Sequence, residues 1–232
     1  MHPGKVTYDV VARATSARGE VVLRRRHDPT DPAAEDVLEL RVNGVFVMDT
    51  LESSSEVELA RAALRDVDEP GRVLVGGLGL GFTTREVLAD SRVREVVVAE
   101  IEDALVEWFR DGMFGELGPA DPRLRIAVAP VQRVVAEADD AAYDVVLLDV
   151  DNGPDFLVFD DNAEIYEAGF LTQVRRVLRP GGRVAVWSST RAAALEGRLR
   201  AAYGNCEIRE LPVTLQGREE SYWLHLAEHT AD

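Results

Sequence analysis

The chain has 232 residues, of which 46% are hydrophobic and 29% charged, and its formal net charge at pH 7 is −16. This length and composition predict a soluble globular protein with one α/β domain and a small appendage. The negative charge argues against a nucleic-acid partner, because binding to phosphates needs a basic surface. We expect no contact with a membrane, since no apolar run approaches the roughly 20 residues that span a bilayer.

The sequence also leads to expectations about location and metal binding. The N-terminal residues MHPGKVTYDV lack the apolar segment of a signal peptide, so we expect a cytoplasmic protein. The single cysteine, Cys206, excludes an internal disulfide and makes a thiolate metal site improbable. The four histidines are scattered at positions 2, 27, 225 and 229, a pattern that predicts no metal site.

Residues 1–52 predict a small antiparallel β unit. Segments with the β-branched, partly alternating pattern of strands cover residues 6–14, 20–26 and 37–48. The last segment contains Asn43-Gly44, which is typical of the two-residue turn in a β-hairpin. A linking unit, residues 53–70, begins with a predicted helix that a serine at 53, 54 or 55 can cap.

Residues 71–232 alternate between predicted strands and helices, which indicates a doubly wound, mostly parallel α/β sheet. The predicted parallel strands are 72–75, 96–99, 124–128, 143–149 and 183–187. The predicted helices are 82–89, 104–110, 131–138, 163–178 and 192–202. The final strands, 207–213 and 221–228, have no helix between them and must be antiparallel. This order resembles the Rossmann-like architecture of class I methyltransferases.

A glycine-rich turn follows the first strand of this domain. Its glycines are Gly76, Gly77, Gly79 and Gly81. Glycines let a backbone approach a ligand closely, and the N-terminus of the next helix offers unpaired N–H groups. Glu100 ends the second strand, beside Ile101, and its carboxylate can accept hydrogen bonds from two ribose hydroxyls. Together these features predict a nucleoside site in which Ile101 also contacts the ligand.

The glycine spacing distinguishes between nucleoside ligands. Gly77, Gly79 and Gly81 give G-x-G-x-G, whereas a dinucleotide site has G-x-G-x-x-G and would need its third glycine at Phe82. The spacing therefore favours an adenosyl-sulfonium ligand of the S-adenosylmethionine type over NAD, and it disfavours a dehydrogenase. The alternative is a tight turn that binds no ligand.

An acidic loop follows the fourth strand and is expected at the same edge of the sheet. Alkyl transfer from a sulfonium to an amine needs a neutral amine, which a nearby carboxylate can orient and deprotonate. We predict Asp149 and Asp151 as candidate bases and Asn152 as an orienting amide. Asp155 and Tyr166 are candidate contacts of a small cationic amine substrate. The sequence Asp-Asn-Gly-Pro is also typical of a simple turn.

The sequence resembles the spermidine synthase (polyamine aminopropyltransferase) family over about residues 37–228. The segments that carry the resemblance are VLVGGLGLGFTTREVL, VVVAEIEDALVEW, YDVVLLDVDNGP and IYEAGFLTQVRRVLRPGGRVAVW. It implies that decarboxylated S-adenosylmethionine donates an aminopropyl group to a diamine, without a metal, in an enzyme that forms a homodimer. By position, it implies that the glycine loop lines the cofactor, that Glu100 holds the ribose and that Asp149 begins the catalytic loop.

The acidic loop departs from this family. In the family this loop reads approximately Asp-Ser-Ser-Asp-Pro. When that motif is aligned without gaps from Asp149, the family's catalytic aspartate falls on Asn152. A shift of one residue would give that role to Asp151. Because an amide cannot act as a base, the two alignments predict different chemistry.

Three other segments lack residues that are usual in the family. Leu78 and Leu80 occupy a glycine loop that usually contains an aspartate. Residues 129–131 supply no carboxylate for the adenine amino group, and residues 45–59 lack the glutamine and Tyr-His pair near the polyamine. Two alternatives therefore stay open, namely a methyltransferase that uses S-adenosylmethionine itself and a non-catalytic relative that binds a nucleoside or a protein.

Overall fold

The structure, a computed structural model, describes residues 6–27, 36–115, 121–150, 152–157, 160–215 and 217–230. The first sheet is antiparallel and has four strands in chain order. These strands are β1 (Thr7–Ser16), β2 (Gly19–His27), β3 (Val37–Val42) and β4 (Val45–Asp49). Asn43 and Gly44 connect β3 to β4 with φ values of 52° and 78°, which confirms the predicted hairpin turn.

The second sheet has seven strands. They are β5 (Arg72–Gly76), β6 (Glu95–Glu100), β7 (Leu124–Val128), β8 (Tyr143–Leu148), β9 (Leu178–Ser188), β10 (Glu207–Leu215) and β11 (Arg218–Glu228). The strand order is β10-β11-β9-β8-β5-β6-β7. The five strands from β9 to β7 are parallel, and β11 runs antiparallel to both of its neighbours. The predicted doubly wound fold with an antiparallel C-terminal strand is confirmed.

Helices cover both faces of the large sheet. They are α1 (Ser54–Arg65), α2 (Phe82–Ala89), α3 (Asp103–Arg110), α4 (Val131–Glu137), α5 (Ala168–Val177) and α6 (Ala193–Tyr203), with a 3₁₀ helix at Asp160–Tyr166. All six residues of β8 are buried, because the sheet is covered on both sides at its centre. No helix in the described part of the chain is both long and apolar enough to cross a membrane.

The small sheet shares its hydrophobic core with the large one. Leu23 and Leu40 of the small sheet belong to the same buried cluster as Val75 and Leu80 around the glycine loop. Helix α1 packs against α2 and the large sheet. The small sheet therefore borders the glycine-rich turn, while the division of the chain at residues 52 and 70 stays a prediction.

The predicted single helix over residues 163–178 is wrong. Glu167 adopts an extended conformation, with φ −85° and ψ 153°, and separates the 3₁₀ helix from α5. The buried ring of Tyr166 ends the 3₁₀ helix, and its hydroxyl donates to the carbonyl of Val150 at 2.6 Å. At the start of α1, Ser53 occupies the N-cap position, but its side chain makes no capping hydrogen bond.

The order of the large sheet creates a crevice. From β5 the chain first adds β6 and β7 on one side and then adds β8 and β9 on the other side. Helices that follow β5 and β8 consequently pass over opposite faces, and the carboxyl ends of these two strands are left open. The glycine-rich turn and the acidic loop both begin at this point.

Candidate functional site

A cavity of about 370 Å³ lies at the carboxyl ends of β5, β6, β7 and β8. This volume is within the range of small-molecule sites. The large sheet contributes Gly77, Glu100, Ala129 and Asp149 to the wall, and the small sheet contributes residues that include Met48. The cavity therefore lies between the two sheets, at the position where a doubly wound fold binds its ligands.

Gly77 and Gly79 line the cavity, and the structure leaves no room for a side chain at either position. A Cβ on Gly77 would lie 2.1 Å from the carbonyl oxygen of Asp149, and a Cβ on Gly79 would lie 2.6 Å from Sδ of Met48. Both glycines have positive φ values, 93° and 52°. The loop thus offers bare backbone to a ligand while it contacts both β8 and the small sheet.

The other two predicted glycines lie beside the cavity. Gly76 ends β5, where a Cβ would approach the side chains of Val131 and Val150 at 3.0 and 3.3 Å. Gly81 has a φ of 89° and is the N-cap residue of α2. These glycines shape the turn rather than its ligand-facing surface.

Glu100 lies in the cavity wall with 6% of its surface exposed. Its Oε2 accepts the N–H of Leu78 at 2.9 Å, and its Oε1 accepts the N–H of Glu102 at 2.8 Å. Burial raises the pKa of this carboxyl. The backbone N–H of Ile101 also acts on this carboxyl. Because a carboxylate oxygen can accept more than one hydrogen bond, Glu100 can still accept a hydroxyl donor such as that of ribose. Ile101 lines the cavity beside it.

Arg18 holds the loop after β6 from the small sheet. Its Nε donates to Oε1 of Glu102 at 2.6 Å, and its Nη2 donates to the carbonyl of Ile101 at 2.6 Å. The hydroxyl of Ser16 also donates to Glu102, at 3.3 Å. These contacts fix the position of the loop that carries Glu100.

Asp149 brings a half-buried carboxyl into the cavity. The hydroxyl of Thr83 donates to its Oδ2 at 2.6 Å, and its backbone N–H donates to the carbonyl of Gly76 at 2.9 Å. Burial raises the pKa of Asp149. A carboxyl with a raised pKa can exchange protons near neutral pH, as a general base requires.

The remaining predicted residues of the acidic loop differ in their positions. Asn152 lines the cavity, and its carbonyl accepts the hydroxyl of Ser189 at 2.5 Å. Asp151 lies outside the described residues. Asp155 is exposed beyond the cavity wall, where it accepts the hydroxyl of Thr190 at 2.5 Å.

Tyr166, the second predicted substrate contact, also lies outside the cavity wall. Its buried ring supports the loop after β8 through the hydrogen bond to Val150. In the structure, Tyr166 and Asp155 hold this loop in place, one from the 3₁₀ helix and one through the β9–α6 connection.

Glu56 is one of several acidic residues of the cavity lining that were not predicted from the sequence. It lies in the first turn of α1, lines the cavity and is 7% exposed. The hydroxyl of Ser55 donates to its Oε2 at 2.7 Å. Burial and the charge of Asp149 raise the pKa of Glu56. One signal was present in the sequence, because Glu56 shares a helix face with the buried Leu59 and Ala60.

An aromatic pair forms another part of the wall. The rings of Trp187 and Tyr222 have centroids 4.8 Å apart and an interplanar angle of 58°. Trp187 is 7% exposed, and among the described residues its buried Nε1 has no hydrogen-bond partner. A buried donor without a partner is costly and is commonly satisfied by a ligand or water.

The charge of the lining has one sign. Its carboxylate residues are Asp49, Glu52, Glu56, Glu100, Glu102, Asp149 and Glu164. Within the described chain, no lysine, arginine or histidine lines the cavity, and no group of three residues could hold a metal ion. Such a cavity attracts cationic molecules, and its described lining offers no cationic partner to a negatively charged group on a ligand.

Comparison with known proteins identifies relatives of the chain. Residues 53–193 match the spermine/spermidine synthase domain. Polyamine aminopropyltransferase 2 of Pseudomonas aeruginosa is 38% identical over 134 residues, which cover 55% of this chain and 36% of that protein. Putrescine N-methyltransferase 3 of Nicotiana tabacum is 30% identical over 125 residues, which cover 52% of this chain and 31% of that protein.

The structural comparison agrees at the level of the fold. Spermidine synthase from Thermotoga maritima superposes with a TM-score of 0.77 at 16% sequence identity, over 96% of this chain and 74% of that one. The aligned region spans 36% to 50% of the length of the first curated relatives.

Proposed function

Since the chain belongs to the spermine/spermidine synthase family, we propose that it transfers an aminopropyl group from decarboxylated S-adenosylmethionine to a small cationic amine. The adenosyl part of this donor would lie against Gly77 and Gly79, with its ribose on Glu100. Its sulfonium would then face the part of the cavity that contains Asp149.

The negative charge of the cavity lining supports decarboxylated S-adenosylmethionine as the donor. Decarboxylated S-adenosylmethionine carries a sulfonium and an ammonium, both positive, whereas S-adenosylmethionine adds a carboxylate. The described lining contains seven carboxylate residues and no basic side chain. A carboxylate on the donor would therefore lose its hydration without gaining a cationic partner, which is unfavourable.

Alkyl transfer in this cavity would depend mainly on orientation and proton removal. The acceptor nitrogen attacks the carbon bonded to sulfur, and the C–S electron pair remains on sulfur, which leaves methylthioadenosine as the second product. The carboxylates would attract the acceptor as an ammonium ion, and Asp149, which lines the same cavity, would take its proton. Asn152 can orient the nitrogen, and Asp151 keeps its predicted role as an alternative base.

Methyl transfer from S-adenosylmethionine to an amine is the second candidate. The similarity to a putrescine N-methyltransferase supports it, because that protein also matches half of this chain. The acidic lining argues against methyl transfer, because the carboxylate of S-adenosylmethionine would have no cationic partner there. We also propose, from the sequence alone, that the protein is cytoplasmic and forms a homodimer.

The mass of the product distinguishes the two reactions. The purified protein would be incubated with 1,4-diaminobutane and with each donor separately, and the amine products would be identified by mass spectrometry. We expect addition of an aminopropyl group with the decarboxylated donor. Addition of a methyl group, with S-adenosylmethionine alone, would replace this proposal by the second candidate, and no product with either donor would contradict both.

A further inference from the structure

We propose that Glu56 is a further catalytic residue, which together with Asp149 forms one proton-accepting pair for the acceptor amine. The inference rests on the proposed alkyl transfer and adds to it a residue from outside the acidic loop. The two carboxyls come from separate elements, the first turn of α1 and the end of β8, and both line the cavity.

Each carboxyl of the pair is positioned by a hydroxyl. Ser55 donates to Oε2 of Glu56 at 2.7 Å, and Thr83 donates to Oδ2 of Asp149 at 2.6 Å. Neither carboxyl forms an ion pair with a basic residue in the described structure, although such pairs are numerous on the surface of the protein. The two hydroxyls orient the carboxyls without neutralising them, which leaves their charge available to a ligand.

The surroundings make simultaneous ionisation of the two carboxyls unfavourable in the empty cavity. Glu56 is buried, Asp149 is half-buried, and the charge of Asp149 acts on Glu56. Glu52 also acts on Glu56, and the neighbouring Tyr222 is acted on by Glu52, Glu220 and Asp49, so the charges recorded around Glu56 in the described structure are negative. Like charges in a site of low polarity share protons, as in other carboxyl pairs.

A cationic ligand would make ionisation of both Glu56 and Asp149 favourable. An entering ammonium supplies the positive charge that the cavity lacks, so the pair would ionise and release a proton to solvent. The buried Nε1–H of Trp187 in the same cavity wall needs an acceptor, which a neutral atom of a ligand or a water can supply.

Proton transfer from the bound ammonium precedes formation of the new bond. The bound ammonium gives one proton to the ionised pair and becomes a neutral amine. Its lone pair forms the new N–C bond while the C–S bond breaks and its electrons stay on sulfur. The positive charge of the sulfonium passes to the nitrogen of the product, and the pair returns its proton to solvent.

The first test is the variant Glu56→Gln, with Glu58→Gln as a matched control in the same helix. Glu58 lies outside the cavity lining and pairs with Arg65 at 3.2 Å. We expect Glu56→Gln to lower kcat by on the order of 10²-fold and to shift the acidic limb of the pH–rate profile to lower pH. Binding of methylthioadenosine should stay within about twofold, because Glu100 and the glycine loop are intact.

A second measurement does not depend on turnover. The protein saturated with methylthioadenosine would be titrated with 1,4-diaminobutane in two buffers that differ in ionisation enthalpy, which gives the protons released on binding. We expect proton release with the wild type and Glu58→Gln, and a loss of it with Glu56→Gln. Amine binding without proton release, no amine binding, or unchanged release in Glu56→Gln would each overturn the inference.

The two proposals fail in different ways. Unchanged kcat and an unchanged pH profile in Glu56→Gln, in an enzyme that forms the aminopropyl product, would reject the role of Glu56 alone. Proton-linked diamine binding without any alkyl product would instead reject the proposed transfer and leave the carboxyl pair in place.

Discussion

Two walls of the cavity are built from the chain in different ways. The glycine-rich wall, residues 76–101, is one continuous turn–helix–strand unit that follows β5, and Gly77, Gly79 and Glu100 line the cavity. The acidic wall, Asp49, Glu52, Glu56 and Asp149, combines the segment before the large sheet with the end of β8. The first wall is specified by local sequence, whereas the second exists only after the two sheets have packed together.

This difference suggests a division of roles. The glycine-rich wall is closely constrained, because Gly77 abuts the backbone of β8 and Glu100 accepts two backbone N–H groups. The acidic wall is less connected, and its charge lacks basic partners. We therefore expect substitutions in the glycine-rich wall to affect donor binding and substitutions in the acidic wall to affect turnover.

The largest effect is expected for Asp149→Asn. Loss of the carboxylate should lower the rate of transfer by on the order of 10³-fold while methylthioadenosine still binds, because an amide cannot accept a proton. Steady-state rates and a calorimetric titration measure the two properties. The control is Asp139→Asn, which makes the same change at an exposed position before β8. Equal rates in both variants would remove Asp149 from the mechanism.

Gly77→Ala changes the glycine-rich wall but should also displace Asp149, which belongs to the acidic wall. The added Cβ would meet the carbonyl oxygen of Asp149 at 2.1 Å, and backbone atoms cannot rotate away. Displacement of the carboxyl should cost on the order of 10²-fold in rate. Gly197→Ala, in α6, where a Cβ meets nothing within 4 Å, is the control. Wild-type activity in Gly77→Ala would show that the tight approach of the strands is unimportant.

Glu100→Gln should weaken binding of methylthioadenosine roughly 10- to 100-fold, since hydrogen bonds to a charged group contribute about 1.5–3 kcal/mol. The amide would also turn an N–H group toward the backbone donors of Leu78 or Glu102. Glu95→Gln, at the opposite end of β6, tests whether any loss of charge on this strand has the same effect. Titration calorimetry on both variants makes the comparison.

The smallest effect concerns stability. Burial raises the pKa of Glu56 and Asp149 above their unfolded values. The native state therefore binds protons more tightly, and stability is lost as pH rises from the unfolded pKa through the folded one. We expect Glu56→Gln to be more stable than the wild type by about 1–2 kcal/mol at pH 8 and to lose this advantage near pH 5.

Denaturant titrations at the two pH values measure this difference. Burial lowers the pKa of His225 to about 4, which works in the opposite direction in acid. Because His225 is present in both proteins, its contribution cancels when the variant is compared with the wild type. A pH-independent difference would mean that Glu56 does not carry a raised pKa.

Much of the fold followed from local patterns. The apolar run of β8, the Asn43-Gly44 turn and the alternation of strands and helices each predicted an element that the structure contains. The long helix at 163–178 was the exception, because helical spacing cannot detect a single extended residue such as Glu167. That conformation depends on the packing of the neighbouring Tyr166 in the tertiary structure.

The candidate site was predictable to a lesser extent. Gly77, Gly79 and Glu100 belong to one motif, and the structure brings them to one cavity. Glu56 lies 93 positions before Asp149 in the sequence numbering and in a first helical turn, where an acidic residue has an adequate local explanation. Its role becomes visible only when the packing of α1 on the large sheet buries it beside a second carboxyl.

Selection of the decarboxylated donor rests on the lack of a basic partner for a donor carboxylate in the described cavity lining. The direct test is a calorimetric titration of the purified protein with decarboxylated S-adenosylmethionine and with S-adenosylmethionine, under the same buffer and salt. We expect the decarboxylated donor to bind at least about tenfold more tightly, because the additional carboxylate would be desolvated and repelled. Equal or tighter binding of S-adenosylmethionine would contradict the account and favour methyl transfer.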